Sequence, residues 1–213
     1  MTVSRGQRVY DWWADHQRLF RLLSEAAFGG RHDELRSRSV GALRLNAGER
    51  VLDVACGPGV NFDRLAYPVG PEGRVVGVDY SAAMVRRGRR RARGDDRVSV
   101  LRGDAERLPV SDGAFDAAYS SLSVSAMADP ERALREAYRV LRPGGRVVVL
   151  DAQPYQSGPG RLVNPLVNRV SAWATNWRPD VNVPALLDEV FDESDAETFN
   201  AGTLFIGVGR KRA

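Results

Sequence analysis

Three carboxylates and a turn broken by glycines are the groups in this 213-residue chain whose spacing could do chemistry. The stretch VLDVACGPG sets Asp53 at the end of an apolar run and follows it with Ala55, Gly57 and Gly59. Glycines there let a ligand approach the backbone and expose amide donors at the start of the next helix. Asp79 stands 20 residues beyond Gly59, the interval at which an acid meets ribose hydroxyls. A carboxylate accepts from both hydroxyls at once.

Glycines followed by a distant acid also serve nicotinamide dinucleotides. That fingerprint needs a third small residue at position 62, where Phe62 stands, and the charge of Asp53 would oppose a pyrophosphate. A ligand carrying an ammonium and a sulfonium reverses the sign of that interaction. S-adenosylmethionine is such a ligand. Further along, GDAERLPVSDGAFD supplies Asp104, where a carboxylate can accept from an adenine amino group, and the backbone of Ala105 for the ring edge.

These groups need strands that end where the ligand lies. From about residue 49, short and nearly continuous apolar runs alternate with helical patterns, which marks an α/β fold with a parallel sheet covered on both faces. Strands are expected at 50–54, 74–79, 98–102, 114–120 and 146–151, with helices at 60–66, 82–93 and 130–141. Upstream, apolar residues at Val9, Trp12, Trp13, Leu19, Phe20, Leu23, Ala26 and Ala27 predict one helix over 8–28, stopped by Gly29 and Gly30, and a second is expected over 33–45. Past Asp151 the chain is rich in Pro, Gly, Asn and Trp and reads as a cap with a helix at 165–174. The tail offers a helix at 185–191 and strands at 195–199 and 203–208, joined at Asn200, Ala201 and Gly202, so the sheet should finish in an antiparallel hairpin. The expected organisation is a helical lid over 1–48 and a ligand-binding domain over 49–213, with the cap at about 152–183.

Composition narrows the class. One cysteine, Cys56, excludes an internal disulfide framework and a multi-cysteine zinc site, and assigns the chain by default to a reducing, cytoplasmic compartment. The first residues, MTVSRGQRVYDWW, lack the layout of a signal peptide, and no apolar stretch approaches bilayer-spanning length. A net charge of +4 rests almost wholly on arginine and carries little weight. The run RRGRRRARG, 86–94, has no interleaved aromatic, so a solvated helix face is expected and no nucleic-acid partner.

From about residue 49 to 151 the chain resembles a class I S-adenosylmethionine-dependent methyltransferase. VLDVACGPG, VVGVDYSAAMV, GDAERLPVSDGAFD and LRPGGRVVVLD are most similar to the branch of the ubiquinone and menaquinone C-methyltransferases and the phospholipid N-methyltransferases. The resemblance implies a Rossmann-like seven-stranded sheet of order 3-2-1-4-5-7-6 with its last strand antiparallel. It implies that Asp53, Ala55, Gly57 and Gly59 border the methionine part of the cofactor and that Asp79 holds the ribose. Tyr80 and Met84 flank the adenine, Asp104 and Ala105 read it, and Ser120 and Leu122 touch the methionine end. One departure concerns the loop SLSVSAMADP: where relatives carry histidine, this chain has Val124 and Ser125.

Methyl transfer from a sulfonium depends mostly on alignment. An amine needs only to arrive unprotonated, whereas a phenol or ring carbon usually wants a base, so the loop without histidine points towards an amine or an already acidic acceptor. Candidate acceptor-side groups are Tyr10, Trp12, Trp13 and His16 on the first helix, Tyr119 on the fourth strand, and Trp173 and Trp177 in the cap. Tyr10 and Tyr119 are the catalytic candidates, because the Tyr-Asp start of relatives lies over the sulfonium and Tyr119 is near the fourth strand's end. His16 and His32 read as packing or surface histidines. The apolar anchors and arginines of GRLVNPLVNRVSAWATNWRP suit a lipid-like acceptor and a peripheral membrane contact, or else a helix packed on its own domain. Two other readings stay open: an RNA or protein methyltransferase, and a cofactor-binding protein without catalysis.

Overall fold

The computed structural model describes residues 5–27 and 30–213; in its first two helices the side chains of 5–7, 17, 20, 21, 26 and 27 are outside the description. Three helices come first, α1 (Arg5–Asp15), α2 (Gln17–Ala27) and α3 (His32–Ala42). The alternating part follows as β1 (Arg50–Val54), α4 (Phe62–Val69), β2 (Arg74–Asp79), α5 (Ala82–Arg91), β3 (Val98–Arg102), β4 (Phe115–Ser121), α6 (Pro130–Val140) and β5 (Leu141–Ala152). The chain ends with α7 (Asn164–Thr175), α8 (Val183–Val190), β6 (Glu193–Phe199) and β7 (Leu204–Arg210).

The seven strands form one sheet in the order β3-β2-β1-β4-β5-β7-β6. The first five are parallel, and β7 runs antiparallel to both β5 and β6. This is the Rossmann-like arrangement that the resemblance implies. Alternate residues of each inner strand serve opposite faces, which is why the runs read as continuously apolar. Val51, Val148 and Leu150 pack with Leu35 and Val40 of α3 and Leu65 of α4, whereas Leu52, Val147 and Val149 pack with Leu134 of α6 and Leu187 of α8. Burying both faces anchors the strands, so their carboxyl ends are rigid places for polar side chains.

Two expectations need correction. The helix over 8–28 is two helices, because His16 breaks the ladder: its amide bonds the Trp13 carbonyl at 3.1 Å while its own Nδ1 takes the Trp12 carbonyl at 2.9 Å. Of the apolar positions expected on that helix, the side chains of Phe20, Ala26 and Ala27 lie outside the described residues, as do Phe28 and the stop at Gly29. The fifth strand also begins earlier than expected, at Leu141, since Leu141 pairs with Phe115 before the register shifts and Arg146 pairs with Ala117. The Pro143-Gly144-Gly145 turn is held within the ladder, where Gly144 donates to Lys211 and Lys211 donates back to Gly145. The hairpin turn at Asn200, Ala201 and Gly202 stands as expected, all three residues with positive φ.

Candidate cofactor and acceptor site

Strand order reverses between β1 and its neighbours β2 and β4, and a cleft of about 1010 Å³ opens at the carboxyl ends of those strands. Its floor is the turn after β1. Ala55, Gly57 and Gly59 all have positive φ, at 54°, 56° and 80°. The first is costly for a residue with a Cβ, which makes Ala55 a strained position bordering the cleft. The two glycines do different work. A Cβ on Gly57 would meet nothing within 4 Å, so the space before it is the cleft itself, whereas a Cβ on Gly59 would come to 2.3 Å of the Phe62 ring. That ring also fills the volume that a side chain on Gly77 would need, coming to 2.8 Å of its Cβ position. Phe62 is thus a core residue seated between two glycines, and Gly59 is absent from the cleft wall.

Asp79 ties this floor to the next strand. One carboxylate oxygen accepts from the Gly57 amide and the other from the Ser81 amide, both at 2.8 Å. Burial raises its pKa to about 6 against the pull of those two bonds. Met84 and Ala105 line the same end of the cleft with the exposed Tyr80 and Asp104, whose carboxylate accepts from the Glu106 amide at 3.0 Å.

Two buried ionisable groups, Asp53 and Arg36, have no ion-pair partner among the described residues. Neither carboxyl oxygen of Asp53 has a hydrogen-bond partner there, and burial, opposed by the Arg36 charge and reinforced by that of Asp79, raises its pKa to about 8, so it is protonated at neutral pH. Asp53 sits out of the wall itself. Arg36 of α3 is on the wall, buried, donating to Asn61 Oδ1 at 2.9 Å, Ser121 Oγ at 2.8 Å and His32 Nε2 at 3.3 Å. All three partners are neutral acceptors, since burial and the Arg36 charge lower His32 to about 4. Asp53 and Arg36 feel each other's charge without bonding.

Sequence reasoning missed Arg36, His32, Asn61 and Ser121. One signal was available: Arg36 stands at i, with Val40 and Leu43 at i+4 and i+7, on the apolar face of its helix, where an arginine needs a reason. Ser121, rather than the expected Ser120, reaches the cleft; Ser120 is buried and its hydroxyl bonds Ser123 Oγ at 2.6 Å. Leu122 does line the cleft, with φ of 57° and its amide bonded to Leu150 at 2.7 Å.

The lid side divides the remaining candidates. Tyr10 and Trp13 face the cleft and also hold the cap: Tyr10 Oη donates to the Thr175 carbonyl at 2.9 Å and Trp13 Nε1 to that of Ala174 at 2.7 Å. Burial, then the charges of Asp151 and Asp79, push the Tyr10 phenol upward, so it stays protonated. Tyr119 is a correction. It is fully buried in the sheet, bonded to Ser39 Oγ at 2.8 Å, and has no place on the wall, because it shares a strand face with Ser121 but lies one pleat deeper, beneath α3. Trp12, His16, Trp173 and Trp177 are also off the wall; Trp12 stacks on His16, and Trp177 donates to the Ala152 carbonyl.

The loop after β4 explains the missing histidine. Val124 and Ser125 are buried, and Ser125 donates from its amide and hydroxyl to the two oxygens of Asp151 at 2.8 Å each. A side chain at either position points inward; the loop faces the cleft with Leu122, Ser123, Ala126 and Met127. The arginines of α5 are largely engaged: Arg87 pairs with Asp15, Arg91 with Asp63, and Arg89 donates to the Val100 carbonyl. Arg91 alone of that run reaches the cleft wall.

Comparisons with known proteins agree with this geometry. Residues 52–149 match the family model described as a methyltransferase domain. The chain is 43% identical over 105 residues to a demethylmenaquinone methyltransferase of Clavibacter sepedonicus, covering 49% of this chain and 42% of that protein. It is 38% identical over 149 residues to a ubiquinone/menaquinone biosynthesis C-methyltransferase of Methylobacterium nodulans, covering 68% and 59%. The chain therefore spans about half the length of these curated relatives. A solved S-adenosylmethionine-dependent methyltransferase of Thermotoga maritima, described as a possible histamine N-methyltransferase, is similar over 96% of this chain and 99% of its own, with a TM-score of 0.70 and 25% identity.

Proposed function

We propose, on the premise that residues 52–149 belong to the class I S-adenosylmethionine-dependent methyltransferases, that this chain transfers a methyl group from that cofactor to a small or amphiphilic acceptor. The observation that carries the reading is a pair of buried ionisable groups without an ion-pair partner among the described residues, the Arg36 guanidinium on the cleft wall and the Asp53 carboxyl behind it, beside a cleft that also holds Asp79 and Asp104. An amino-acid group carries an ammonium and a carboxylate together. It would satisfy Arg36 directly and Asp53 through the intervening turn, and few other ligands would satisfy both.

Asp79 would hold the ribose with the lone pairs its two amide bonds leave free. Met84 and Tyr80 would flank the adenine, with Asp104 and Ala105 at its edge. Asp53, Ala55, Gly57, Ser121 and Leu122 would border the methionine part. The cofactor supplies an electrophilic methyl group on a sulfonium. The chain's own part is to align the acceptor and keep water out, and the wall of Tyr10, Trp13, Leu122, Ala126 and Met127 does that without opposing positive charge. Tyr10, held neutral, positions the lid and does not take a proton.

The acceptor side of the wall is apolar where the loop after β4 faces it. This favours an acceptor that arrives as a free nucleophile, the amine of a phospholipid-like molecule or a quinol already acidic enough to ionise. We place the lid in α1 and α2 and the cap at about 152–183; α3, which packs on the core through Leu35 and Val40, belongs with the sheet. RNA or protein as acceptor is disfavoured because Arg91, the one arginine of α5 on the cleft wall, is paired with Asp63.

Calorimetric titration with S-adenosylmethionine, S-adenosylhomocysteine and NADH tests the cofactor. Micromolar binding of the first two without the third is expected, followed by turnover in a screen of amphiphilic amines and quinols. Binding of NADH alone would return the glycine turn to dinucleotide chemistry. Cofactor binding with no turnover across these acceptors would favour a binding protein without catalysis.

A further inference from the structure

Helix α7 carries its apolar side outward. None of its twelve residues is buried. Leu166, Val167, Val170 and Trp173 are exposed, and at 3.6 residues per turn they share an arc of about 120°. The turn before the helix adds Leu162 and Val163. Leu162, Leu166 and Trp173 are 84%, 68% and 73% exposed, so this is a contiguous patch and not a scatter of single residues.

Charge says what covers it. No Asp or Glu occurs from residue 152 to residue 179, while Arg161 and Arg169 are exposed beside the patch and form no ion pair among the described residues. A second copy of the chain, docked by a two-fold axis, would bring these cations against themselves. An anionic bilayer has what both features seek, phosphate at the surface for the guanidinium groups and an acyl boundary beneath for leucine, valine and tryptophan.

We propose that the outer face of α7, with the turn before it, docks on an anionic lipid surface. The docked helix is wired to the cleft. Its last carbonyls, Ala174 and Thr175, are held by Trp13 and Tyr10, and Asn176, the next residue, is on the cleft wall with both. A bilayer bound at α7 therefore lies beside the cleft, where an amphiphile can enter from the membrane. Only that last step rests on the methyltransferase reading; the docking itself does not.

The test is sedimentation of the full chain with phosphatidylglycerol–phosphatidylcholine vesicles and with phosphatidylcholine alone, without cofactor, with light scattering for oligomeric state. Partition at least tenfold stronger into the anionic vesicles is expected. The double variant Arg161→Gln, Arg169→Gln should weaken it by about 25-fold, at roughly 1 kcal/mol for each cation near the surface. The double variant Leu166→Ser, Trp173→Ser should abolish it while leaving S-adenosylmethionine affinity intact, which certifies the fold. Equal partition into both vesicles, indifference to either double variant, or a dimer that dissociates in the Leu166 and Trp173 variant without any vesicle binding would each overturn the proposal. Vesicle binding by a chain that ignores S-adenosylmethionine would leave the docking standing and sink the function.

Discussion

The floor of the cleft and its roof are built on opposite principles. The floor, the turn after β1 with Asp79 and Arg36, is made of side chains whose polar atoms are fixed by short bonds to backbone or to buried neutral groups. In the roof, α1 is pinned to α5, where Ser81 Oγ donates to Asp11 and Arg87 pairs with Asp15, and is joined to the end of α7 by two long-range donors, Tyr10 and Trp13, each given to a carbonyl more than 160 positions away. Such a floor is pre-organised for one ligand, whereas the seam between α1 and α7 can be loosened by losing one or two bonds. The difference predicts that floor mutations act on cofactor affinity and roof mutations on turnover.

The sharpest way to break that distinction is Arg36→Gln, which keeps the hydrogen bonding to Asn61 and Ser121 approachable but removes the charge. Cofactor affinity should fall by about 100-fold, roughly 3 kcal/mol for an unmet buried carboxylate, by calorimetry. Unchanged affinity would remove the carboxylate assignment. Asp79→Ala comes next, with a loss of tenfold or more, on the order of 1.5 to 3 kcal/mol for charge-assisted bonds; an unaltered isotherm would remove the ribose from Asp79.

The pH dependence sharpens the comparison further. With its pKa raised to about 8, Asp53 holds a proton in the free protein at neutral pH. A bound ammonium favours the carboxylate, so binding releases that proton and affinity should rise with pH, approaching tenfold per unit from about 6 to 8 and levelling above. For the free protein the sign is opposite. The unfolded carboxyl ionises near 4 while the folded one stays protonated to about 8, so this group's contribution to stability is complete below about 4 and is lost as pH rises to 8. Calorimetry in buffers of different ionisation enthalpy counts the proton directly, and a count of zero at pH 7 would contradict the cationic ligand end. The smallest expected effect is on the roof. Tyr10→Phe loses one hydrogen bond, about 1 kcal/mol, and should lower kcat severalfold with little change in cofactor Kd. A larger change in Kd than in kcat would make Tyr10 part of the floor.

The same contrast divides what could be read from sequence. The first three parallel strands were legible residue for residue: β1 and β2 are largely buried and leave apolar runs punctuated by polar strand ends, while β3, at the sheet edge, buries only Val100 and still carries a short apolar run. Asp53, Gly57, Asp79 and Asp104 were visible for that reason. Arg36 was not, since its partners Asn61 and Ser121 come from two other elements, and only the fold shows that a cation there has no anion. Tyr119 was misplaced because a strand gives no sign of where along one face the covering helix stops: Tyr119 and Ser121 share a face, and α3 covers the first through Ser39 while the second reaches the cleft. The break at His16 was hidden because it comes from a side chain competing for a carbonyl, with no proline or glycine to announce it. Ser120 and Ser121 differ by one residue, and that single step decides which hydroxyl reaches the cleft.

The seat of Phe62 between Gly59 and Gly77 has a consequence for inheritance. Neither glycine can gain a side chain while the ring remains, and the ring cannot shrink without leaving a cavity that the glycines are too small to fill. The three positions are therefore one unit of variation. A descendant of this chain reaches a dinucleotide-type turn, with a small residue at 62, only through an intermediate that is less stable than either end, so the core beneath the cleft keeps the turn above it from drifting to another cofactor.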